Sequence, residues 1–257
     1  MKGKTLMKKR MTAAIAAMMA LLLCACAPRN PAPSVETTSF EEAIATRNSP
    51  TRKAFREALK TIHDDLTWPF FPDAMKIEIV EPATIDDQQF AIFDVDGDGE
   101  EELLVSITDT YTAGMHEVVF GYDAEKDELT MEAEGFPGIT YYPGMMKILS
   151  SHNQGHAGDV LWPYGVLTYD PASDSYESSC FVDAWDRNLS ETDFEGNPYP
   201  TDIDVDNVGH VYLISDSEGD HTLNQADFEK WESELFAGKE EITIPWQKLT
   251  AENIANP

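Results

Sequence analysis

The sequence predicts a single α+β domain, mainly antiparallel β-sheet, with an N-terminal and a C-terminal helix packed on it. Three observations predict this. Apolar residues repeat with helical spacing near 54–66 and again near 224–235, while between about 76 and 215 the text changes to short β-branched and aromatic runs separated by Gly, Pro, Asn and Asp. No second linker interrupts residues 41–257, a stretch long enough for one sizeable core. Within the β-rich part, Val119 to Asp127 and Val166 to Asp174 share an apolar run, a Tyr-Asp pair and a second Asp four residues on. These copies are 47 residues apart and read as hairpins. Two copies cannot close a propeller, so an open sheet is preferred and propeller-like hairpins are the alternative.

Residues 1–26 read as an export signal. Lys2, Lys4, Lys8, Lys9 and Arg10 precede an apolar core, Met11 to Leu23, too short to span a bilayer as a helix. Leu23-Cys24-Ala25-Cys26 resembles a bacterial lipobox, with a leucine three places before Cys26 and a small residue just before it; Cys24 would put bulky Leu23 in the small-residue position. That resemblance implies lipidation at Cys26 and a cell-membrane anchor on the extracytoplasmic face; ordinary cleavage without an anchor is the alternative. Residues 27–40, rich in Pro, Ser and Thr, read as a flexible tether.

The chain carries 18 Lys+Arg against 47 Asp+Glu, a formal charge of −29. Without the five basic residues of the signal the balance is 13 against 47, or −34, which excludes nucleic acid as a partner. Beyond the signal segment only Cys180 remains besides Cys26, so no intramolecular disulfide is expected, and Cys180 reads as a buried apolar residue. A monomer is expected.

The first helix is predicted from Ser49 as N-cap and Pro50 at the first helical position, with Ala54, Phe55, Ala58, Leu59, Ile62 and Leu66 on one face and Trp68-Pro69 as the stop. Two short strands, Gln89–Phe93 and Leu103–Ile107, then flank Asp94-Val95-Asp96-Gly97-Asp98-Gly99-Glu100-Glu101-Glu102. Carboxylates at loop positions one, three and five can converge on a hard cation, glycine at six permits the turn, and Glu100 at seven offers a carbonyl. Position twelve is Val105 and the flanks are strands, so this is not an EF-hand. The loop resembles the DxDxDG loops of FG-GAP or integrin-type propeller blades, and the resemblance covers about a dozen residues. It implies calcium at Asp94, Asp96, Asp98, Glu100 and Glu102, the last closing the site from position nine.

Two further acidic segments are weaker. Asp202-Ile203-Asp204-Val205-Asp206 lacks either a position-five ligand or the turn glycine, and Asp216 to Asp227 lacks the turn glycine and an entering helix. The latter is better read as Asn224 capping a second helix, with Phe228, Trp231 and Leu235 inward, Leu223 as a staple and Gly238 as the stop. Glu241 to Trp246 alternates like an edge strand, where Pro245 is tolerated.

The candidate ligand surface is His152, Asn153, His156, Asp159, Trp162 and Tyr164, a loop of polar donors beside aromatics suited to a glycan or peptide. The text from Ser151 to Tyr164 also resembles uncharacterised bacterial lipoproteins, which implies no activity. Three readings follow from it. The loop belongs to a non-enzymatic binding module; or Ser150 or Ser151 works with a histidine and Asp159 in hydrolysis; or His152, His156 and Asp159, with distant His116, hold a transition metal. No G-x-S-x-G elbow is present, which favours the first. A polar loop held by Asn153 and Asp159 bonds to backbone is the bland alternative.

Overall fold

Helix α1 (Pro50–Asp65) forms where the spacing predicts it, and its N-cap is made by the Ser49 hydroxyl, which accepts the Arg52 amide at 3.1 Å. The computed structural model describes residues 48–69, 75–153 and 157–257; the signal segment, Cys26 and the tether lie outside them. Phe55, Ala58, Leu59 and Ile62 are buried along one face. Leu66 departs from expectation: it ends the helix in a left-handed conformation (φ 50°) and is exposed. Trp68 does more than mark the stop, since its ring is buried against Phe120 and His116.

Eleven strands follow in two antiparallel sheets, giving an α+β domain of mainly β content. The first sheet contains β1 (Gln89–Phe93), β2 (Glu102–Ile107), β3 (His116–Asp123) and β4 (Glu128–Gly135) as a meander. The second contains β5 (Thr140–Tyr142), β6 (Met145–Leu149), β7 (Tyr164–Asp170), β8 (Ser175–Asp186), β9 (His210–Asp216) and β10 (Gly219–Leu223), again in sequence order. Helix α2 (Gln225–Leu235) comes next, with Asn224 accepting the Asp227 amide at 3.0 Å. The two-residue strand β11 (Gln247–Lys248) and helix α3 (Ala251–Ala255) end the fold.

Side chains alternate across each strand, and this sorts the core into layers. On the outer face of the first sheet, Phe90, Leu103, Val105, Val118 and Phe120 meet α1 and Ile254 of α3. On its inner face, Ala91, Leu104, Val119 and Ala133 meet Tyr141, Met146 and Tyr176 of the second sheet. The far face of that sheet carries Tyr164, Val166, Cys180, Val182 and Tyr212 against Phe228 of α2. The order is therefore helix, sheet, sheet, helix. Strand β2 is buried at all six positions, which explains why its text is apolar apart from Glu102 and Ser106. Tyr212 and Phe228 stack with centroids 3.9 Å apart, a contact worth about 0.5–1.5 kcal/mol beyond burial.

The 47-residue echo is structural. In β3–β4 the Tyr122 hydroxyl donates to Asp127 at 2.6 Å, and Asp127 is left-handed (φ 55°); in β7–β8 Tyr169 donates to Asp174 at 2.7 Å, and Asp174 has φ 50°. Both hairpins also shift register at equivalent places, between Val119 and Phe120 and between Val166 and Leu167. The unpaired residues are Glu132 and Ser179. With two sheets among the described residues, these hairpins sit in facing layers rather than in a closed propeller.

One strand is corrected. Glu241 to Trp246 does not form an edge strand; Ile242 donates a single bond to Tyr141 O at 2.8 Å, Pro245 has no N–H to offer, and ladder pairing starts only at Gln247 and Lys248, against Phe90 and Gln89.

Candidate metal centre

The acidic loop closes the β1–β2 hairpin at one end of the seam between the sheets. Its carboxylates first organise their own backbone: Asp94 accepts the Gly97 amide at 2.8 Å, Asp96 accepts Asp98 at 3.0 Å and Asp98 accepts Glu100 at 2.7 Å. Gly99, at position six, has φ +98°, a conformation for which glycine is suited. Glu102 reaches back from the start of β2 to accept the Val95 amide at 2.7 Å and is 3% exposed. Arg52 of α1 clamps the outer side through a two-point bond to Glu101 at 2.5 and 2.8 Å.

Ligand oxygens of Asp94, Asp96 and Glu102 lie within 4.8 Å of one another, and so do those of Asp96, Asp98 and Asp174. Oxygens bound to one calcium ion at 2.3–2.6 Å lie within about 5 Å of each other, so each trio meets that limit. Four of the five expected ligands thus fall in these trios. Glu100 is exposed and its carboxylate is in neither; at position seven its contribution would come from the carbonyl.

One acidic residue that the loop text does not contain, Asp174, joins the site, and a second, Glu132, is buried near it but belongs to neither trio. Asp174 comes from the β7–β8 turn of the second sheet, where Tyr169 donates both to it and, at 3.3 Å, to Asp98. Glu132 comes from β4. The register shift leaves Glu132 opposite no partner and turns it inward beside buried Ala133, as a bulge does when it re-aims a side chain. Room exists because β3 carries Gly121 there; a Cβ at that position would lie 1.9 Å from Glu132 Oε1. The second hairpin, offset by 47, has Thr168 and Ser179 in these places, with their hydroxyls 2.5 Å apart. A glycine-glutamate pair in one copy therefore stands where the other has threonine and serine, and comparing the copies is the sequence signal that could have found Glu132.

Electrostatically the cluster is strained without a cation. Burial pushes Glu102 up to about 9, helped by Asp96, Glu132 and Asp98 and opposed by the Val95 amide. Burial likewise raises Glu132 to about 8, with Asp174, Asp96 and Asp98 adding to it, and Asp96 to about 6. Asp96 Oδ2, Glu132 Oε2 and the Tyr176 hydroxyl are buried with no hydrogen-bond partner among the described residues. Buried polar atoms are normally satisfied, and a hard cation with oxygen ligands fits this donor set.

No protein-family model matches the chain, and no curated protein or solved structure matches it.

The other candidate residues do not form one surface. Tyr164, expected as an aromatic platform, is 1% exposed; its hydroxyl donates to Glu232 of α2 at 2.7 Å, and Lys147 sits 3.8 Å over its ring. Asn153 is a loop brace, donating to the carbonyl of Gly158 at 2.7 Å. Trp162 is half-exposed and donates to Ser150 O at 2.7 Å. His152 is exposed and meets Ser151 Oγ at 2.6 Å, while Asp159 is exposed and makes no hydrogen bond to it. His156 lies outside the described residues. His116 pairs with Glu134 at 2.5 Å and meets the Trp68 ring edge-on, and it is in no metal-ligating group among the described residues. Asp204 turns out to be a backbone cap, accepting Val208 and Gly209 amides at 2.9 and 3.0 Å, and no metal-ligating group forms there among the described residues. Asp216 caps the β9–β10 turn by accepting the Glu218 amide.

These placements separate two variants. His152→Ala is expected to leave the melting temperature unchanged, whereas Tyr164→Phe, which removes the shorter of two bonds to the Glu232 carboxylate and leaves that of Lys147, should cost about 0.5–1.5 kcal/mol in denaturant unfolding.

Proposed function

We propose that the protein is a calcium-binding, lipid-anchored domain on the extracytoplasmic face of a cell membrane, acting as a non-enzymatic binding module for a glycan, peptide or surface partner. The observation that carries the calcium reading is the convergence of Asp94, Asp96 and Glu102 around buried, unsatisfied carboxylate oxygen. Calcium suits it because the donors are all oxygen, several carry charge, and a flexible loop supplies them. The ion's role is structural: it neutralises a cluster whose burial otherwise favours protonation, and it lets the β1–β2 loop pack against the seam. No described helix is long and apolar enough to cross a membrane, so attachment rests on the lipobox and Cys26.

Against hydrolysis, the Ser151 hydroxyl meets the ring of its own neighbour His152, and among the described residues no acid is hydrogen-bonded to that ring. Elemental analysis of the purified mature domain tests the calcium reading. Bound calcium is expected, together with a melting temperature that falls on chelation and returns when calcium, but not magnesium at equal concentration, is added back. An unchanged melt with no bound metal sinks it. Mass spectrometry of the membrane fraction should find diacylglycerol on Cys26.

A further inference from the structure

Resting on the reading of the protein as a binding module, and on nothing in the calcium site, we propose that its ligand is an extended, uncharged oligosaccharide. It lies in a groove of two adjoining cavities, with the Tyr111 ring as the platform for one sugar.

Four observations carry it. Cavities of about 710 Å³ and about 310 Å³ meet at the short turn Thr112–Gly114, since Thr112 and Met115 line both. The larger is walled by Val80, Pro82 and Tyr111, and the smaller reaches Leu149 of β6 and Ser151 just after it. An occupant that fills both must be long, as a chain of sugars is.

Tyr111 is 70% exposed although its ring is large and mostly apolar. A ring on the rim of a cavity offers a flat apolar face with a polar tip, against which the C–H face of a pyranose packs. Trp162, half-exposed and bonded to the carbonyl of Ser150, sets a second ring close to the Ser151 end.

The polar wall is fixed in advance. Gln88 is 1% exposed, and its Oε1 accepts the Thr108 and Asp109 amides at 2.7 and 3.2 Å while its Nε2 donates to Asp109 Oδ2 at 2.8 Å. The Val80 amide ties the facing wall to Asp109 O at 2.8 Å. Binding therefore has little left to order.

The carboxylates along the groove already have protein donors: Asp109 has Gln88, Asp87 has Lys248 at 3.2 Å, and Glu134 has His116 at 2.5 Å. They call for no cationic ligand, yet each keeps lone pairs that can only accept. Sugar hydroxyls supply the donors, whereas an acidic polymer meets the chain's own sign of charge.

Titration calorimetry on the calcium-loaded mature domain tests the proposal. The uncharged probes are tetrasaccharides of glucose, N-acetylglucosamine, galactose and mannose; tetragalacturonate is the acidic probe and tetralysine the cationic one. At least one uncharged tetrasaccharide should bind, and more tightly than its disaccharide. Tyr111→Ala, at an exposed position, should weaken it roughly tenfold or more, Tyr111→Phe should keep most of the affinity, and Asp109→Asn should weaken it. Sugar binding that Tyr111→Ala leaves unchanged would overturn this groove as the site. Binding of tetralysine or tetragalacturonate alone would overturn the ligand class and leave the binding-module reading standing. Binding of no probe would remove both, with the effect of calcium on melting untouched.

Discussion

Chelation is expected to lower the melting temperature far more at pH 8 than at pH 5. In the calcium-free fold Asp96, Glu132 and Glu102 hold their protons up to about 6, 8 and 9, above their ordinary values of 3.8, 4.5 and 4.5. The folded state then binds more protons than the unfolded chain, so stability is fully present below about pH 4 and is lost as pH rises through those three values. Calcium needs the deprotonated carboxylates and opposes this loss, binding more tightly as pH rises and releasing protons when it does. At a free concentration about 1,000-fold over Kd the ion adds about 4 kcal/mol, or roughly 8–16 °C for a domain of this size. Differential scanning calorimetry with and without chelator at both pH values reads the effect. Equal shifts at pH 5 and 8 would show that these acids do not face the ion.

Gly121→Ala is the second large expectation. The new methyl would sit 1.9 Å from Glu132 Oε1, 3.0 Å from its Cδ and 3.1 Å from Thr130 Oγ1, so the glutamate must leave its position or β3 and β4 must part. Overpacking of this kind costs about 1–3 kcal/mol. Gly121→Ala should therefore melt lower, which thermal unfolding followed by circular dichroism reads. Adding Glu132→Ser to Gly121→Ala rebuilds the small-residue arrangement of the other hairpin. That double variant should recover much of the lost stability, and a double variant that melts no higher than Gly121→Ala would show that the clash with Glu132 is not the cause.

The sequence made the fold legible wherever local chemistry decides. Ser49 and Asn224 cap their helices, the β1–β2 loop lies between the two strands expected, and the Tyr-Asp turns repeat as the spacing implied. What it hid is tertiary. Asp174 could be read as a turn residue but not as a neighbour of Asp98, 76 positions away, because that contact exists only when two sheets face each other. Glu132 is one of three acids in β4, and only a register shift turns it inward. Tyr164 failed as a platform for a related reason: α2, whose Glu232 lies 68 residues downstream, covers it. Nor does an apolar alternation guarantee pairing, as Glu241 to Trp246 shows; with Pro245 in the run, the ladder begins beyond it.

Strand β11 is only two residues long, yet it occupies the margin of the first sheet beside Gln89 and Phe90, and the Leu249 amide adds a bond to Gln88 O at 2.8 Å. Left bare, those main-chain donors and acceptors would be a template on which a neighbouring molecule could add its own strand, and the apolar text of β1 would favour such growth. Gln247 and Lys248 thus cover that margin and guard it against self-association.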